Sequence, residues 1–319
     1  AAVLSCGSVV DTAWVDDVNA LVYAGLGGQA VPKAVLDVIT GIVNPSGKLS
    51  ETYPIDYQDC PSASNFPGGD TSVEYRESVF VGYRYYETAN IPVRFPFGYG
   101  LSYTTYEYSD IKVDKSGVYF KVKNTGKVEG SEIAQLYIGA VNSKVFRPKK
   151  ELKGFKRIHL MPGESKEVKI LFDEYSFRYF NVKTNKWEVE SCEYNIMIGA
   201  SVADIRLNAS LNMEGTTAQV PYNPSELPSY YTGKVNNVGT DEFVKLYGRN
   251  VPNPKYPFYK KKRMVIDNNT TVQALRYSRG WTGRFFAGAL RFADKLLRKL
   301  GQVKTANMLS LGMFNMPVR

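Results

Sequence analysis

The strongest constraint in this sequence is the change of its hydrophobic period to two between Thr105 and Met213. Within that segment Val118, Phe120 and Val122 alternate with polar residues, and a turn-forming Asn-Thr-Gly follows. Such alternation places apolar side chains on one face of a strand. Further strand-like stretches lie at 133–138, 151–158, 167–172, 187–189, 194–198 and 205–211. About seven short strands over about 110 residues predict an antiparallel β-sandwich for residues 105–213.

Residues 1–57 show the pattern of a mixed α/β unit. The apolar stretch 1–6 predicts a buried strand, helical spacing at 14–24 and 31–41 predicts two helices, and 49–53 predicts a short strand closed by Pro54. These elements do not complete a sheet, and the chain opens within a strand. We therefore expect upstream sequence, and we interpret 1–57 as the C-terminal part of a larger α/β sandwich domain.

The two remaining segments are less regular. Residues 58–104 are rich in Pro, Gly, Ser and Tyr, which predicts a long ordered loop region between domains. Residues 214–319 form a tail whose first half should be kept extended or looped by its prolines. Those prolines are Pro221, Pro224, Pro228, Pro252, Pro254 and Pro257. The predicted fold class is thus a partial α/β domain, an all-β sandwich of the immunoglobulin or fibronectin III kind, and a partly helical basic tail.

An amphipathic helix is predicted at 281–300, where apolar residues alternate at helical spacing with arginines and lysines. Such a helix can pack on the protein's own body or on missing sequence. Alternatively, it can lie on an anionic membrane surface or dock in a groove. A basic run at 260–263 precedes it. No apolar stretch reaches the length of about 18 residues that a membrane span needs.

Charge and cysteine usage exclude several function classes. The net charge of +9 resides in the tail, because residues from Glu214 onward contain 17 Lys/Arg against 6 Asp/Glu. The folded body is therefore not predicted to bind nucleic acid. Three scattered cysteines form no CxxC pair and favour a reducing compartment, so we expect a cytoplasmic location. A homodimer is the oligomeric state we consider.

The stretches that resemble cofactor-binding motifs do not fit those motifs. The Gly-rich turn at 25–28 lies between two predicted helices and not after a strand, which is a poor dinucleotide loop. Ser46-Gly47-Lys48 is followed by Leu49 where a phosphate loop needs Ser or Thr. The single histidine, His159, is predicted to lie at a surface or edge. We expect no cofactor and no metal site.

Two local carboxylate pairs are weighed as catalytic candidates. Asp16 and Asp17 are adjacent in the first turn of a predicted helix, where negative charge favours the helix dipole. Glu74 and Glu77 are three residues apart and precede an aromatic motif. We interpret both pairs as structural.

Four stretches carry recognisable motifs. They are 3–29 (VLSCGSVVDTAWVDDVNALVYAGLGGQ), 44–53 (NPSGKLSETY), 80–86 with 95–104 (FVGYRYY and FPFGYGLSYT), and 132–138 (EIAQLYI) with its following Arg147-Pro148, 151–155 (ELKGF) and Pro162-Gly163-Glu164. Together they resemble glycoside hydrolase family 3, the family of β-glucosidase-like enzymes. They cover about residues 1–213 and keep the family's order and spacing. Ser50 replaces the family's usual proline, and Ala30 replaces its usual glutamate after Gly-Gln.

Local roles follow for the aromatic motifs. If 80–86 is extended, its alternate residues face opposite sides, and Arg84 is expected in a carboxylate or carbonyl contact between domains, with direct sugar contact as the alternative. The stretch 95–99 is expected to act as an aromatic plug that seats the loop against the sandwich.

The resemblance implies a retaining mechanism, which needs two carboxylates about 5–5.5 Å apart. In the family the nucleophile is an aspartate on an N-terminal (β/α)₈ barrel, and the acid/base is usually a glutamate upstream of the segment matched by 3–29. Neither position exists here, so no catalytic residue is assigned and the fragment alone is predicted to be inactive. The implied substrate is a small glycoside or oligosaccharide with a terminal β-linked sugar, most simply glucose. The alternative is a non-catalytic carbohydrate-binding or scaffold module.

Overall fold

The computed structural model describes residues 1–68, 73–251, 264, 266 and 270–317. The chain divides into two units. The first comprises Ala1–Phe66 and Tyr75–Arg249, and the second comprises Pro67–Glu74 and Asn250–Arg319. The basic run predicted at 260–263 and the prolines at 252, 254 and 257 lie outside the described residues.

The alternating segment forms the predicted β-sandwich. Its strands, with those that precede it, are β1 (Ala2–Leu4), β2 (Leu21–Tyr23), β3 (Tyr53–Pro54), β4 (Val93–Phe95), β5 (Tyr106–Asp114), β6 (Gly117–Asn124), β7 (Gly130–Ala140), β8 (Glu151–Leu160), β9 (Ser165–Leu171), β10 (Arg178–Asn181), β11 (Lys186–Val189), β12 (Cys192–Gly199) and β13 (Ile205–Met213). One sheet has the order β13-β12-β7-β8 and the other the order β5-β6-β9, while β10 and β11 form a separate hairpin. All pairings within them are antiparallel.

The sandwich core consists of the side chains that alternate inward along these strands. Val118, Phe120 and Val122 of β6 pack in one cluster with inward residues of β7, β8, β9 and β12. Within the segment 105–213 the sequence analysis missed two strands, β5 and β10. In β5 the pairing register shifts between Ser109 and Lys112, and Asp110 has a φ of 58°. This bulge interrupts the period of two on which the prediction depended.

The predicted helix at 14–24 is wrong. The structure has a 3₁₀ turn at Val15–Asp17 and then β2, which pairs in parallel with β1. Periodicity cannot separate a short apolar strand from a helix, and the pairing with β1 decides the outcome. The strand predicted at 1–6 is confirmed as β1, although it is not buried. The second predicted helix is confirmed as α1 (Val31–Ile39).

Regular structure occurs where a loop region was predicted at 58–104. The helix α2 (Tyr83–Ala89) begins after Gly82, whose φ is 53°, so the motif at 80–86 is not extended as predicted. The strand β4 follows and pairs with β3. Of the strand predicted at 49–53 only Tyr53 enters that ladder, and Pro54, which was predicted to close the strand, is its second member.

The first half of the tail contains no helix or strand at 214–227, as its prolines predicted, but two helices follow. Pro228 opens the short helix α3 (Pro228–Thr232), where a missing N–H costs nothing, and α4 (Thr240–Tyr247) follows. Tyr230 of α3 is fully buried, and its ring packs against Phe146. These residues belong to the first unit. The first unit therefore continues beyond Glu214, where the tail was predicted to start.

The second unit is helical. A 3₁₀ helix at Gln273–Tyr277 precedes α5 (Trp281–Lys299), which confirms the helix predicted at 281–300, and α6 (Val303–Met308) runs into a π-helical turn at Leu309–Phe314. None of the helices in the described ranges combines the length and apolarity that crossing a bilayer requires.

The sandwich core predicts a large effect of truncation at Ile196, which is fully buried on β12. We expect Ile196→Ala to lower the free energy of unfolding by about 2–5 kcal/mol, because a cavity adds to the lost transfer free energy. Urea unfolding of the chain measures this. The control is Leu171→Ala on β9, where the side chain is exposed and the expected loss is about 0.5 kcal/mol. Equal losses for the two variants would contradict the assigned core.

Candidate functional site

The motif at 44–53 and the loop at 95–104 meet on the edge of the sandwich. Asn44 uses both ends of its side-chain amide: Nδ2 donates to the Glu129 carbonyl at 2.9 Å, and Oδ1 accepts from Ser102 Oγ at 3.0 Å and from the Tyr103 amide at 2.8 Å. The amide of Leu49 donates to the Tyr99 carbonyl at 2.8 Å. The turn, the loop and the sandwich are therefore fixed by a single asparagine and adjacent backbone pairing.

We call the region where the motif at 44–53, the loop at 95–104 and the sandwich meet the junction. Lys48 brings a positive charge into it. Its Nζ donates to the Gly100 carbonyl at 3.1 Å and lies 3.5 Å from Oε1 of Glu132 on β7. Only 12% of the Lys48 side chain and 5% of the Glu132 side chain are exposed. The hydroxyl of Tyr108 donates to the same carboxylate at 2.9 Å. Burial, and secondly the Glu132 carboxylate, raise the pKa of Tyr108, so the phenol keeps its proton and remains a donor.

Gln135 ties the aromatic loop to the sheet. Its Nε2 donates to the carbonyls of Gly98 at 3.0 Å and Ala200 at 2.8 Å, and its Oε1 accepts from the Tyr137 hydroxyl at 2.6 Å. Gly98 has a φ of +79°, and a Cβ there would lie 2.0 Å from the Gln135 Oε1. Next to it, Phe97 stacks on the Tyr83 ring at 4.6 Å. The predicted seating of this loop against the sandwich is thereby observed.

The helix α2 docks beside this loop through polar contacts with β8. Arg84 Nε lies 3.5 Å from the carboxylate of Glu151, which agrees with the predicted carboxylate contact. Lys153 Nζ lies 3.4 Å from the same carboxylate. Burial is the main cause that lowers the pKa of Lys153, and the nearby Arg147 and Arg84 add to it. One glutamate therefore serves several cations, and this cluster attaches α2 to the sandwich.

A row of aromatic rings joins the α/β segment to the same loop. The rings of Tyr23 and Tyr53 meet edge-on at 6.3 Å, Tyr53 meets Phe95 at 6.1 Å, and Phe95 stacks on Tyr99 at 5.8 Å. The hydroxyl of Tyr53 is buried without a hydrogen-bond partner. Burial raises the pKa of Tyr53 to about 12.

The weighed carboxylates have different surroundings. The carboxylate of Asp16 receives a hydrogen bond from Arg94 Nη1 at 2.9 Å, and Asp17 lies in the same 3₁₀ turn. Glu77 is buried, and Glu74 belongs to the second unit. His159 is largely exposed on β8, as predicted. Within the described ranges, no group of three or more His, Cys, Asp or Glu side chains is placed to hold a metal ion.

The chemistry of this junction is that of positioning. Lys48, Glu132 and Gln135 are engaged with other side chains and with backbone carbonyls, so they hold the loops in place. The sequence analysis identified the motifs at 44–53 and 95–104, but it missed Glu132 and Gln135 as their partners. Glu132 opens the apolar stretch 132–138 at a position that turns inward, and a charged residue facing the interior was the available signal.

Two family models match the chain. The glycosyl hydrolase family 3 C-terminal domain matches residues 1–103, and a fibronectin type III-like domain matches residues 132–202. The first model contains the α/β segment and the aromatic loop, and the second contains most of the sandwich. The end of the first match and the start of the second match both lie within the junction described above.

Several known proteins share this region. Thermostable beta-glucosidase B of Acetivibrio thermocellus is 51% identical over 222 residues, which are 67% of this chain and 29% of that protein. An exo-alpha-(1->6)-L-arabinopyranosidase of Bifidobacterium breve is 45% identical over 293 residues, which are 89% of this chain and 38% of that protein. The crystal structure of a beta-glucosidase from Kluyveromyces marxianus in complex with glucose matches with a TM-score of 0.64 and 47% identity, over 66% of this chain and 26% of that one. The chain therefore spans about a quarter to two fifths of the length of these relatives.

The close approach of Gly98 to Gln135 predicts a specific stability loss. Gly98→Ala combines a positive φ with a steric conflict against the buried amide, so we expect about 3 kcal/mol lower stability. The control is Gly163→Ala, which shares a φ of +78° but meets nothing within 4 Å. Its expected loss is about 1 kcal/mol. Urea unfolding measures both, and equal losses would mean that the contact with Gln135 adds nothing.

The buried phenol of Tyr53 predicts a dependence of stability on alkaline pH. The folded protein retains this proton up to about pH 12, whereas the unfolded chain loses it near its ordinary pKa of about 10. Stability from this group is therefore fully present below about pH 10 and is lost as the pH rises toward about 12. We expect Tyr53→Phe to lose less stability than the unmodified protein between about pH 8 and pH 11. Identical losses in urea unfolding at the two pH values would contradict the assignment.

Proposed function

Because this chain consists of the C-terminal domain and the fibronectin type III-like domain of glycoside hydrolase family 3, with a further helical unit, we propose that it is the supporting part of a retaining β-glycosidase. Such an enzyme hydrolyses terminal β-linked sugars, and glucose is the proposed sugar. The observation that carries this proposal is the 51% identity to a beta-glucosidase of which the chain spans only 29%.

The catalytic carboxylates are proposed to lie on the remainder of the complete protein, in a (β/α)₈ barrel and an adjoining loop. The retaining mechanism needs a nucleophile and an acid/base about 5–5.5 Å apart. The carboxylates that this chain offers near the junction, Glu132 and Glu151, are engaged by lysines and arginines. Their role is to hold loops in place, and in a glycosidase such loops support the wall of the substrate site.

The exposed apolar surface of the α/β segment supports the proposal that another part of the complete protein packs against it. No residue of α1 is buried, and Leu36, Ile39, Ile42 and Val43 are all exposed. An amphipathic helix of this kind normally buries its apolar stripe. We place the rest of the α/β domain and the barrel of the complete protein against this stripe.

An arabinopyranosidase activity is the second candidate. It is favoured by the Bifidobacterium breve relative, whose similarity extends over 89% of this chain and thus into residues beyond both family models.

The three cysteines are free in the structure. This supports a reducing, cytoplasmic compartment as part of the proposal.

The test compares the isolated chain with the complete protein on p-nitrophenyl β-D-glucopyranoside and p-nitrophenyl α-L-arabinopyranoside. We expect the chain to hydrolyse neither substrate, and the complete protein to hydrolyse the glucoside faster, with the β-anomer as the first product in the NMR spectrum. Faster cleavage of the arabinoside would establish the second candidate. Release of the α-anomer would exclude the retaining mechanism. An inactive complete protein that nevertheless binds glucose in calorimetry would be a carbohydrate-binding module.

A further inference from the structure

The long helix α5 has an inner face that the second unit already uses. Ala287 is 2% exposed, and a Cβ on Gly283 would lie 2.8 Å from the Ser278 Oγ. On this side α5 packs against the 3₁₀ helix Gln273–Tyr277 and against α6. Leu290 and Leu297, half-buried, belong to the same side. The inner face thus accounts for the folding of the unit.

A second apolar stripe runs along the opposite side of α5. Trp281, Phe285 and Phe292 are 70%, 70% and 69% exposed, and Leu296 is 44% exposed. At 100° per residue these four side chains fall within about 60° of one another around the helix axis. Gly288 on the same side meets only open space. We call these four residues the outer stripe. Contiguous exposed aromatic residues of this kind mark an interaction surface.

Cations border the outer stripe. Lys295 lies about 40° beyond the edge of the stripe, and Lys299 continues the stripe at the C-terminal end of the helix. Both lysines are exposed. Neither has an ion pair among the described residues. By contrast, Arg284 donates to the backbone carbonyls of Ser278 and Arg279, and Arg298 pairs with Asp294. Two lysine ammonium groups therefore remain available to a negatively charged partner.

The positive charge of the second unit argues against one possible partner of the outer stripe, a second copy of the same unit. Residues 270–317 contain eight Lys/Arg and one Asp. A second copy of this unit would bring like charges together, which opposes self-association. The helix α5 also lies beyond residue 202, where the second family match ends. The outer stripe is thus outside both domains that define the family part of the chain.

We propose that the outer stripe of α5 docks on an anionic lipid surface. The helix has 19 residues and is about 28 Å long, and it lies in the plane of the interface with Trp281, Phe285 and Phe292 at the boundary between headgroups and acyl chains. Lys295, beside the stripe, and Lys299, at its C-terminal end, contact lipid phosphates. This refines the membrane contact considered for 281–300, because Leu296 faces the lipid while Leu297 faces the unit itself.

The experiment measures sedimentation of the complete protein with two kinds of vesicle, phosphatidylcholine alone and phosphatidylcholine mixed with phosphatidylglycerol. We expect binding to the mixed vesicles only, and weaker binding as salt is raised. Phe292→Gln should weaken it about tenfold by removing one apolar anchor. The double variant Lys295→Gln with Lys299→Gln should weaken it about 25-fold, because each cation near the surface contributes about fivefold.

Matched controls lie on the sandwich. Phe155→Gln removes an equally exposed phenylalanine (65% exposed), and Lys183→Gln with Lys186→Gln removes two exposed lysines. Both should leave vesicle binding unchanged. Circular dichroism checks that each variant keeps its helices.

Three results would overturn the proposal. Equal binding to both kinds of vesicle would remove the role of lipid charge. Absence of vesicle binding by a monomeric protein would assign the outer stripe to an acidic protein partner or to the rest of the enzyme. Sedimentation as a dimer that Phe292→Gln dissociates, without vesicle binding, would assign it to a second copy. Glycoside hydrolysis in solution is measured separately and does not depend on these outcomes.

Discussion

The architecture of the first unit depends on buried polar side chains that are satisfied by loop backbone. Gln135 lies within a β-sheet where no water can replace its partners, and it donates to the carbonyls of Gly98 and Ala200. Leaving such a buried amide unpaired costs about 1–3 kcal/mol, so the loop at 95–104 cannot leave without a large penalty. The glycine at 98 is needed because any Cβ would collide with this amide. Loop and sheet are therefore specified together.

Buried charged side chains also join segments of the first unit. Lys48 and Glu132 are both nearly buried, and their separation of 3.5 Å is supported by the Tyr108 hydroxyl and the Gly100 carbonyl. A buried ion pair of this kind adds little net stability, but loss of one partner leaves an uncompensated charge. Its consequence is geometric, because it fixes the point at which Lys48 of the α/β segment meets β7 of the sandwich. A glycosidase needs such fixed loops, because small displacements of substrate-positioning groups reduce the rate strongly.

The two units contrast in how they use apolar residues. The first unit encloses aromatic side chains between sheets and under α2 and α3, with Tyr85, Tyr137, Tyr194 and Tyr230 all fully buried. The second unit leaves Trp281, Phe285 and Phe292 exposed along one helix, close to two lysines that form no ion pair with the described part of the chain. Packing within the unit does not account for these exposed aromatic residues, and together with the lysines they are the basis of our proposal of a lipid surface as the partner. The two proposals, support of a glycosidase site and docking on lipid, thus concern different units.

Local periodicity and the order of motifs were sufficient to predict the β-sandwich, the helices α1 and α5, and the family resemblance carried by the stretches at 44–53, 80–86 and 95–104. Other features depend on contacts between segments that are distant in the chain. Residues 21–23 became a strand because β1 lay available to pair in parallel, and 83–89 became a helix because its side chains find partners on β8. The partnerships of Lys48 with Glu132 and of Gly98 with Gln135 join residues far apart in the chain. Such contacts leave no periodic signal, since their energy exists only when both segments are already in place.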